Sequence, residues 1–239
     1  MARLDPANGM RPGHAIYDLG CGAGNVARIL AERFPESPII GIDSSDDMLA
    51  KARTQTSDAR VTFAKGDLAR FEPTVPPAVL YSNAAYHWLE GHIDLFPGLL
   101  KKLPSGGQLA IQMPRNHEAA SHTLMRTAAE AGPWKAKLAE VRGIGPVSAP
   151  ARYYDVLKSL CSELEVWETI YQQPLTGEDP VAHWTAGTGL RPFLDALTEP
   201  ERSEFFATYA RLVAEAYPTR ADGITLFPFR RLFIVARRA

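Results

Sequence analysis

The chain has 239 residues, 46% of them hydrophobic and 22% charged. That is enough apolar surface to offset the entropy of ordering one large domain, and it excludes a wholly disordered chain. Lys and Arg number 26 against 27 Asp and Glu, a net charge of −1, which argues against a general affinity for nucleic acid or an anionic membrane; an anionic ligand needs a local basic pocket. Cys21 and Cys161 are too few for a disulfide framework or a four-thiolate zinc site and fit a reducing, cytoplasmic setting, and no apolar run reaches the ~20 residues of a membrane helix.

Short apolar runs alternate with amphipathic stretches through the first half, the pattern of βαβ units around a parallel sheet. Ala15 to Leu19 reads as a buried strand ending at a glycine cluster. Asn25 to Phe34 carries Val26, Ile29, Leu30 and Phe34 at helical spacing, with Pro35 as a stop. Pro38 to Ile42 is a second strand, and Ser44 or Ser45 can cap the helix that follows, with Asp46 and Asp47 in its first turn. Val61 to Ala64, Ala78 to Ser82 and Gln108 to Met113 are three more strands.

The rhythm changes after Pro114. Helical patterns over 115–155 are broken at Gly132-Pro133, Gly143, Gly145-Pro146 and Pro150. Val166 to Tyr171 reads as a strand, 178–217 as helices, and Thr225 to Arg237 as a last strand rich in Phe and Arg. The expected architecture is an α/β doubly wound, mostly parallel sheet of Rossmann-like type. A cofactor-binding core spans 14–113, helical cap insertions span 114–155 and 176–224, and the strand 225–237 returns to the sheet, all within one domain.

The strongest local signal is Asp18-Leu19-Gly20-Cys21-Gly22-Ala23-Gly24, set between a strand and a helix. Glycines there let the backbone turn tightly and let a ligand approach it closely. The third glycine of a dinucleotide fingerprint is replaced by Asn25, and no Gly-Lys-Ser/Thr follows, so neither a nicotinamide loop nor a Walker loop fits. Asp43 ends the second strand, where an acid can accept both hydroxyls of a ribose. Asp67 follows the third strand, where it can accept from an adenine amino group with Leu68 packed beside it. Either acid alone reads as a cap or surface charge; together with the glycine loop they mark the carboxyl edge of one sheet.

These three elements resemble the class I S-adenosylmethionine-dependent methyltransferases over about residues 14–113. The resemblance implies that Asp18, Gly20, Gly22 and Gly24 receive the methionine part of the cofactor, Asp43 its ribose and Asp67 with Leu68 its adenine. Asn83 would line the same site, S-adenosylhomocysteine would be the product, and Cys21 would be packing and not a nucleophile. The stretch Ser82-Asn83-Ala84-Ala85-Tyr86-His87-Trp88 lacks the proline pair of base and amide methyltransferases, which disfavours a nucleic-acid substrate.

Later blocks, including Gln112 to Asn116, Gly132 to Trp134, Gly187 to Phe193 and Arg231 to Ala236, resemble the trans-aconitate 2-methyltransferase family. The implied reaction is methyl transfer to a carboxylate oxygen of a small tricarboxylate. The acceptor is already ionised at neutral pH and needs no acid or base catalyst. Trp88 and Trp134 would exclude water and position the reactants. Arginines suit the substrate carboxylates: Arg191 first, in a glycine-flanked loop, then Arg231, which shares a strand face with Phe229 and Phe233, and Arg115. Arg230, adjacent to Arg231 on the strand, points to the other face, and Lys135 stands behind these candidates. Another carboxylate or a malonyl thioester is the alternative acceptor. Only Met1 to His14 precede the first strand, where the family has a helical segment, so a looser cofactor site and even binding without turnover are also expectations. No histidine spacing suggests a metal site; His117 and His122 read as surface residues.

Overall fold

The computed structural model describes residues 3–4, 11, 13–141 and 145–239. The expected break at Gly143 and the reading of most of residues 1–10 lie outside the described residues. The chain divides into two compact units. The first comprises Met1–Met113, Ser148–Glu168 and Leu232–Ala239; the second comprises Pro114–Val147 and Thr169–Arg231.

The first unit begins with β1 (Ala15–Leu19), α1 (Asn25–Arg33), β2 (Ile39–Asp43), α2 (Asp46–Thr54) and β3 (Val61–Lys65), followed by β4 (Pro77–Asn83), α3 (His92–Lys102) and β5 (Gln108–Pro114). β1 is buried at all five positions. It pairs in parallel with β2 on one side and β4 on the other, while β3 joins β2 and β5 joins β4, also in parallel. Strands covered on both faces read as continuous apolar runs, which explains why Ala15 to Leu19 showed no alternation. Ser45 caps α2: its hydroxyl accepts from the Met48 amide at 3.3 Å.

α4 (Ala120–Ala131), α5 (Lys135–Leu138) and α6 (Pro150–Leu157) precede β6 (Cys161–Leu175); α7 (Pro180–Ala186), α8 (Arg191–Asp195) and α9 (Glu201–Ala216) precede β7 (Thr225–Arg238). Among the described residues seven strands take the order β3-β2-β1-β4-β5-β7-β6. Gly107 exchanges backbone bonds with Arg238 and Arg115 donates to Arg230, so β7 runs antiparallel to β5. The fold is the doubly wound α/β type, and the order reverses between β1 and β4, where such sheets bind ligands beyond the carboxyl ends of their strands.

Two boundaries differ from the sequence reading. β6 runs for 15 residues, not the six of Val166 to Tyr171. Helix α6 belongs to the first unit, not to the cap insertion. The physical reason is Tyr153, which is fully buried, stacks on His92 and Phe96 and shares a 2.8 Å hydrogen bond with His92 Nε2.

The second unit has its own apolar core, with Met125 and Ala128 of α4, Phe193 of α8, Phe205, Tyr209 and Val213 of α9, and Phe227 of β7. Trp134 sits inside this core at 3% exposure, its ring edge-on to Phe205 and its indole N–H donating to the Ala128 carbonyl at 2.9 Å. Trp134 is therefore a core residue, and the expectation that it walls off the reacting groups is corrected: burial and a satisfied N–H leave no face for a ligand. Trp134→Ala is expected to destabilise the second unit by about 3–5 kcal/mol, read from denaturant unfolding.

Candidate active site

After Leu19 the chain turns through Gly20, Gly22 and Gly24 at φ +79°, +52° and +77°. A β-carbon on Gly20 would stand 2.2 Å from Cβ of Ala85, so that position is closed to side chains by contact as well as by conformation. The same virtual atom lies 3.4 Å from Leu68 Cδ1, which brings the ends of β1 and β3 together with the segment after β4. Around Gly22 there is open space.

Backbone hydrogen bonds hold the turn. The Gly20 and Cys21 amides both donate to the Ile42 carbonyl, at 2.8 and 3.0 Å. The Gly22 amide donates to Asp43 Oδ2 at 2.8 Å, and the Ser45 amide to Oδ1 at 2.9 Å. A carboxylate offers about four acceptor sites, so Asp43 braces the glycine turn and keeps lone pairs for a ligand. Asp67 Oδ1 accepts from the Ala69 amide at 2.9 Å and caps a short 3-10 turn, Leu68–Arg70. The exposed carboxyl of Asp67 and the partly exposed Leu68 lie past the end of β3. Asn83 ends β4, and Ala84 beyond it is held at φ +54°.

Asp18, the penultimate residue of β1, is 1% exposed. The Ala27 amide in the first turn of α1 donates to its carboxyl, while Oδ2 has no hydrogen-bond partner. Burial, with a smaller push from Asp43, raises its pKa to about 7. An orphaned buried oxygen beside a glycine turn is a place a polar or cationic ligand group can satisfy. Burial also pushes the Cys21 thiol up to about 12, which makes it inert packing.

Tyr86 is buried edge-on against Phe96, and Trp88, on the same 3-10 turn (Tyr86–Trp88), is 51% exposed. Trp88 thus has an apolar face open beyond β4, where a role in excluding water remains available.

The second unit distributes the acceptor candidates differently from expectation. Arg191 opens helix α8, not a loop, and its exposed side chain reaches Asp195 at 3.3 Å, a solvated i,i+4 pair. Arg115 is largely buried, 3.7 Å from the Glu118 carboxylate. Arg231 lies over the rings of Phe229 at 5.0 Å and Tyr171 at 5.8 Å, on the strand face anticipated from Phe229. Arg230 has its backbone clamped by Asn116, whose side chain both accepts from the Arg230 amide at 2.8 Å and donates to its carbonyl at 3.1 Å. Lys135 is exposed at the start of α5.

His117 and His122 are not plain surface residues. Both line a cavity of about 300 Å³ with Arg126, Gly189 and Phe193. Burial and the neighbouring His117 push His122 down to about 4, and burial lowers His117 despite the opposing Glu118. A signal for this was present in the sequence: His122 and Arg126 are four apart on a helical pattern, hence on one face.

Known proteins resemble this chain in sequence and in fold. A methyltransferase domain model matches residues 16–107. Trans-aconitate 2-methyltransferase of Azoarcus sp. strain BH72 is 45% identical over 223 residues, 93% of this chain and 87% of that protein. The Streptomyces avermitilis protein of the same name is 44% identical over 228 residues, 93% of this chain and 84% of its own length. Among solved structures, YcgJ from Bacillus subtilis superposes with a TM-score of 0.62 at 14% identity, covering 98% of this chain and 95% of that one. Phosphoethanolamine N-methyltransferase 2 of Haemonchus contortus, solved with S-adenosyl-L-methionine, superposes at 0.53 with 19% identity, covering 96% of this chain and 50% of that one. These two show a shared fold.

Two variants test the glycine turn. Gly20→Ala is expected to destabilise the protein by at least about 2 kcal/mol, from the left-handed conformation and the clash with Ala85, read by thermal melting. Asp18 has a folded pKa above its unfolded value, so its contribution is full below pH ~4 and is lost as pH rises toward and through 7. Unfolding free energies of wild type and Asp18→Asn should therefore diverge in favour of the variant between pH 4 and 8, by up to roughly 4 kcal/mol. Parallel curves would show that Asp18 ionises normally.

Proposed function

This chain belongs to the trans-aconitate 2-methyltransferase family, and on that premise we propose that it transfers the methyl group of S-adenosylmethionine to a carboxylate oxygen of trans-aconitate, leaving the monomethyl ester and S-adenosylhomocysteine. The observation that carries the reading is the 45% identity to a relative of that name over 93% of the chain. Supporting it is the placement of the glycine turn, Asp43 and Asp67 at the ends of three adjacent parallel strands.

S-adenosylmethionine, when bound, supplies a methyl group activated on a sulfonium. The residues present suit it. Asp43, braced by Gly22 and Ser45, has acceptor sites left for two ribose hydroxyls. Asp67 and Leu68 can take the adenine edge and face, and Asn83 can line the site from β4. The open space at Gly22 admits close approach to the backbone, and the unpartnered Asp18 oxygen suits a cationic neighbour. Gly20 and Gly24 keep the turn tight enough for this.

The acceptor carboxylate needs no base, since it is ionised at neutral pH. The protein's own work is to hold the reacting oxygen in line and at near-attack distance and to exclude water, effects that supply several kcal/mol of the barrier. Trp88 is our candidate for excluding water. For the substrate carboxylates, Arg231 and Arg115 remain candidates, with the exposed, paired Arg191 behind them. Among the described residues no helix is long and apolar enough to cross a membrane; a small-molecule acid is the proposed partner and the cytoplasm the proposed location.

Release of S-adenosylhomocysteine by the purified protein should be strong with trans-aconitate and weak with citrate, cis-aconitate, isocitrate and malonate. Preference for another acid would sink the substrate assignment and leave the methyltransferase reading intact. Asp43→Ala should weaken S-adenosylmethionine binding at least about tenfold by calorimetry, the size of losing charged hydrogen bonds.

A further inference from the structure

Gly41 stands buried in the middle of β2, with β1 paired on one side and β3 on the other. A glycine inside a strand weakens it and marks a place where another group needs the room. Here that group is Phe63. In the parallel register Gly41 lies between Asp18 of β1 and Phe63 of β3. A β-carbon on Gly41 would stand 2.6 Å from Phe63 Cδ1, 2.8 Å from its Cε1 and 2.9 Å from Cys21 Sγ. The Phe63 ring therefore leans over the glycine of the neighbouring strand, and the cysteine of the glycine turn enters the same space.

The far end of the ring reaches the turn itself. A β-carbon on Gly24 would stand 2.8 Å from Phe63 Cζ, and 3.1 Å from both Phe63 Cε1 and Ala52 Cβ. Gly24 is the N-cap of α1 at φ +77°, and its amide donates to the Cys21 carbonyl at 2.9 Å, which closes the turn. Ala52 is fully buried on α2. Two glycines and an alanine thus surround one aromatic ring where β2, β3, α1 and α2 meet. Close packing at native density explains why these three neighbours are small.

Two kinds of contact then fix the turn. Hydrogen bonds to Ile42 and Asp43 hold Gly20, Cys21 and Gly22. At Gly24 the stop is steric, because a glycine has no side chain of its own with which to set its distance from the sheet. We infer that Phe63 is a positioning residue for the methyl donor: its ring, seated on Gly41, sets the place of Gly24 and so the shape of the turn that receives the donor's methionine part. The inference rests on the S-adenosylmethionine reading above and deepens it with a residue that the ligand need not touch. Gly41 is the other half of the device, since a side chain there would fill the seat.

Calorimetric binding of S-adenosylmethionine to the full chain tests this. Phe63→Ala and Gly41→Ala should each raise Kd about tenfold, the first by removing the ring and the second by unseating it. The double variant should stay within about threefold of Phe63→Ala alone, because the vacated space accepts the new methyl group and lets the Cys21 thiol give way. Val61→Ala, on the same strand opposite Ile39, is the stability control. It should lower Tm and leave Kd within about twofold. Unchanged Kd in Phe63→Ala, losses that add in the double variant, or an equal loss in Val61→Ala each overturn the proposal. A second measurement needs no variant: the Phe63 ring resonances of the wild type should shift on adding S-adenosylmethionine, and ring signals that stay still overturn it too. Wild type that binds the donor yet methylates none of the acids sinks the reading of function and leaves Phe63 in its role. Wild type that binds no S-adenosylmethionine sinks both.

Discussion

One carbonyl oxygen organises the first unit. Ile42, at the end of β2, accepts from both the Gly20 and Cys21 amides, and that shared acceptor pins the left-handed turn to the neighbouring strand. Asp43, the next residue, completes the arrangement by accepting from Gly22 and Ser45. A tight turn with positive φ at three positions would be costly anywhere else in a chain. Here glycine removes the steric penalty, and the end of β2 supplies acceptors in register, because β1 and β2 are parallel and end together. The turn, the Asp43 carboxylate and the start of α2 are thus one hydrogen-bonded object.

The second unit depends on a comparable hub of different chemistry. Ser121 is satisfied at its amide, carbonyl and hydroxyl by Tyr217, Tyr209 and His122. Buried polar groups are tolerated when every member has a partner, and such networks fix a unique arrangement. The first turn of α4 is thereby tied to α9 and to the Tyr217 hydroxyl, and His117, His122 and Arg126 line one cavity beside it.

The unsatisfied groups follow the same division. In the first unit Asp18 Oδ2, beside the glycine turn, has no partner, and neither do His14 Nδ1, Thr56 Oγ1 and Tyr86 Oη; in the second, His117 Nδ1 has none. Folded chains pair nearly all buried polar atoms.

The candidate site of the first unit was legible in the sequence because its determinants are local. Asp18 through Gly24 must be contiguous to form the turn, and Asp43 and Asp67 follow their strands directly, so a linear reading finds them. The apolar runs of β1, β2, β4 and β5 fall where burial on both faces requires. The arrangement of the second unit was not legible in this way. Trp134 and Arg191 drew attention by residue type, yet Trp134 is enclosed by Phe205 and the α4 carbonyl of Ala128, and Arg191 pairs with its own helix neighbour. His117 and His122 looked like solvated histidines because a spacing of five has no meaning along a loop entering a helix. By itself the sequence determined the sheet, the glycine turn and the two acids, since these rest on strand burial and on contacts between chain neighbours. Only the tertiary structure decided which polar side chains share a cavity, since that follows from helices packing through Phe193, Tyr209 and Ser121, contacts between residues tens of positions apart.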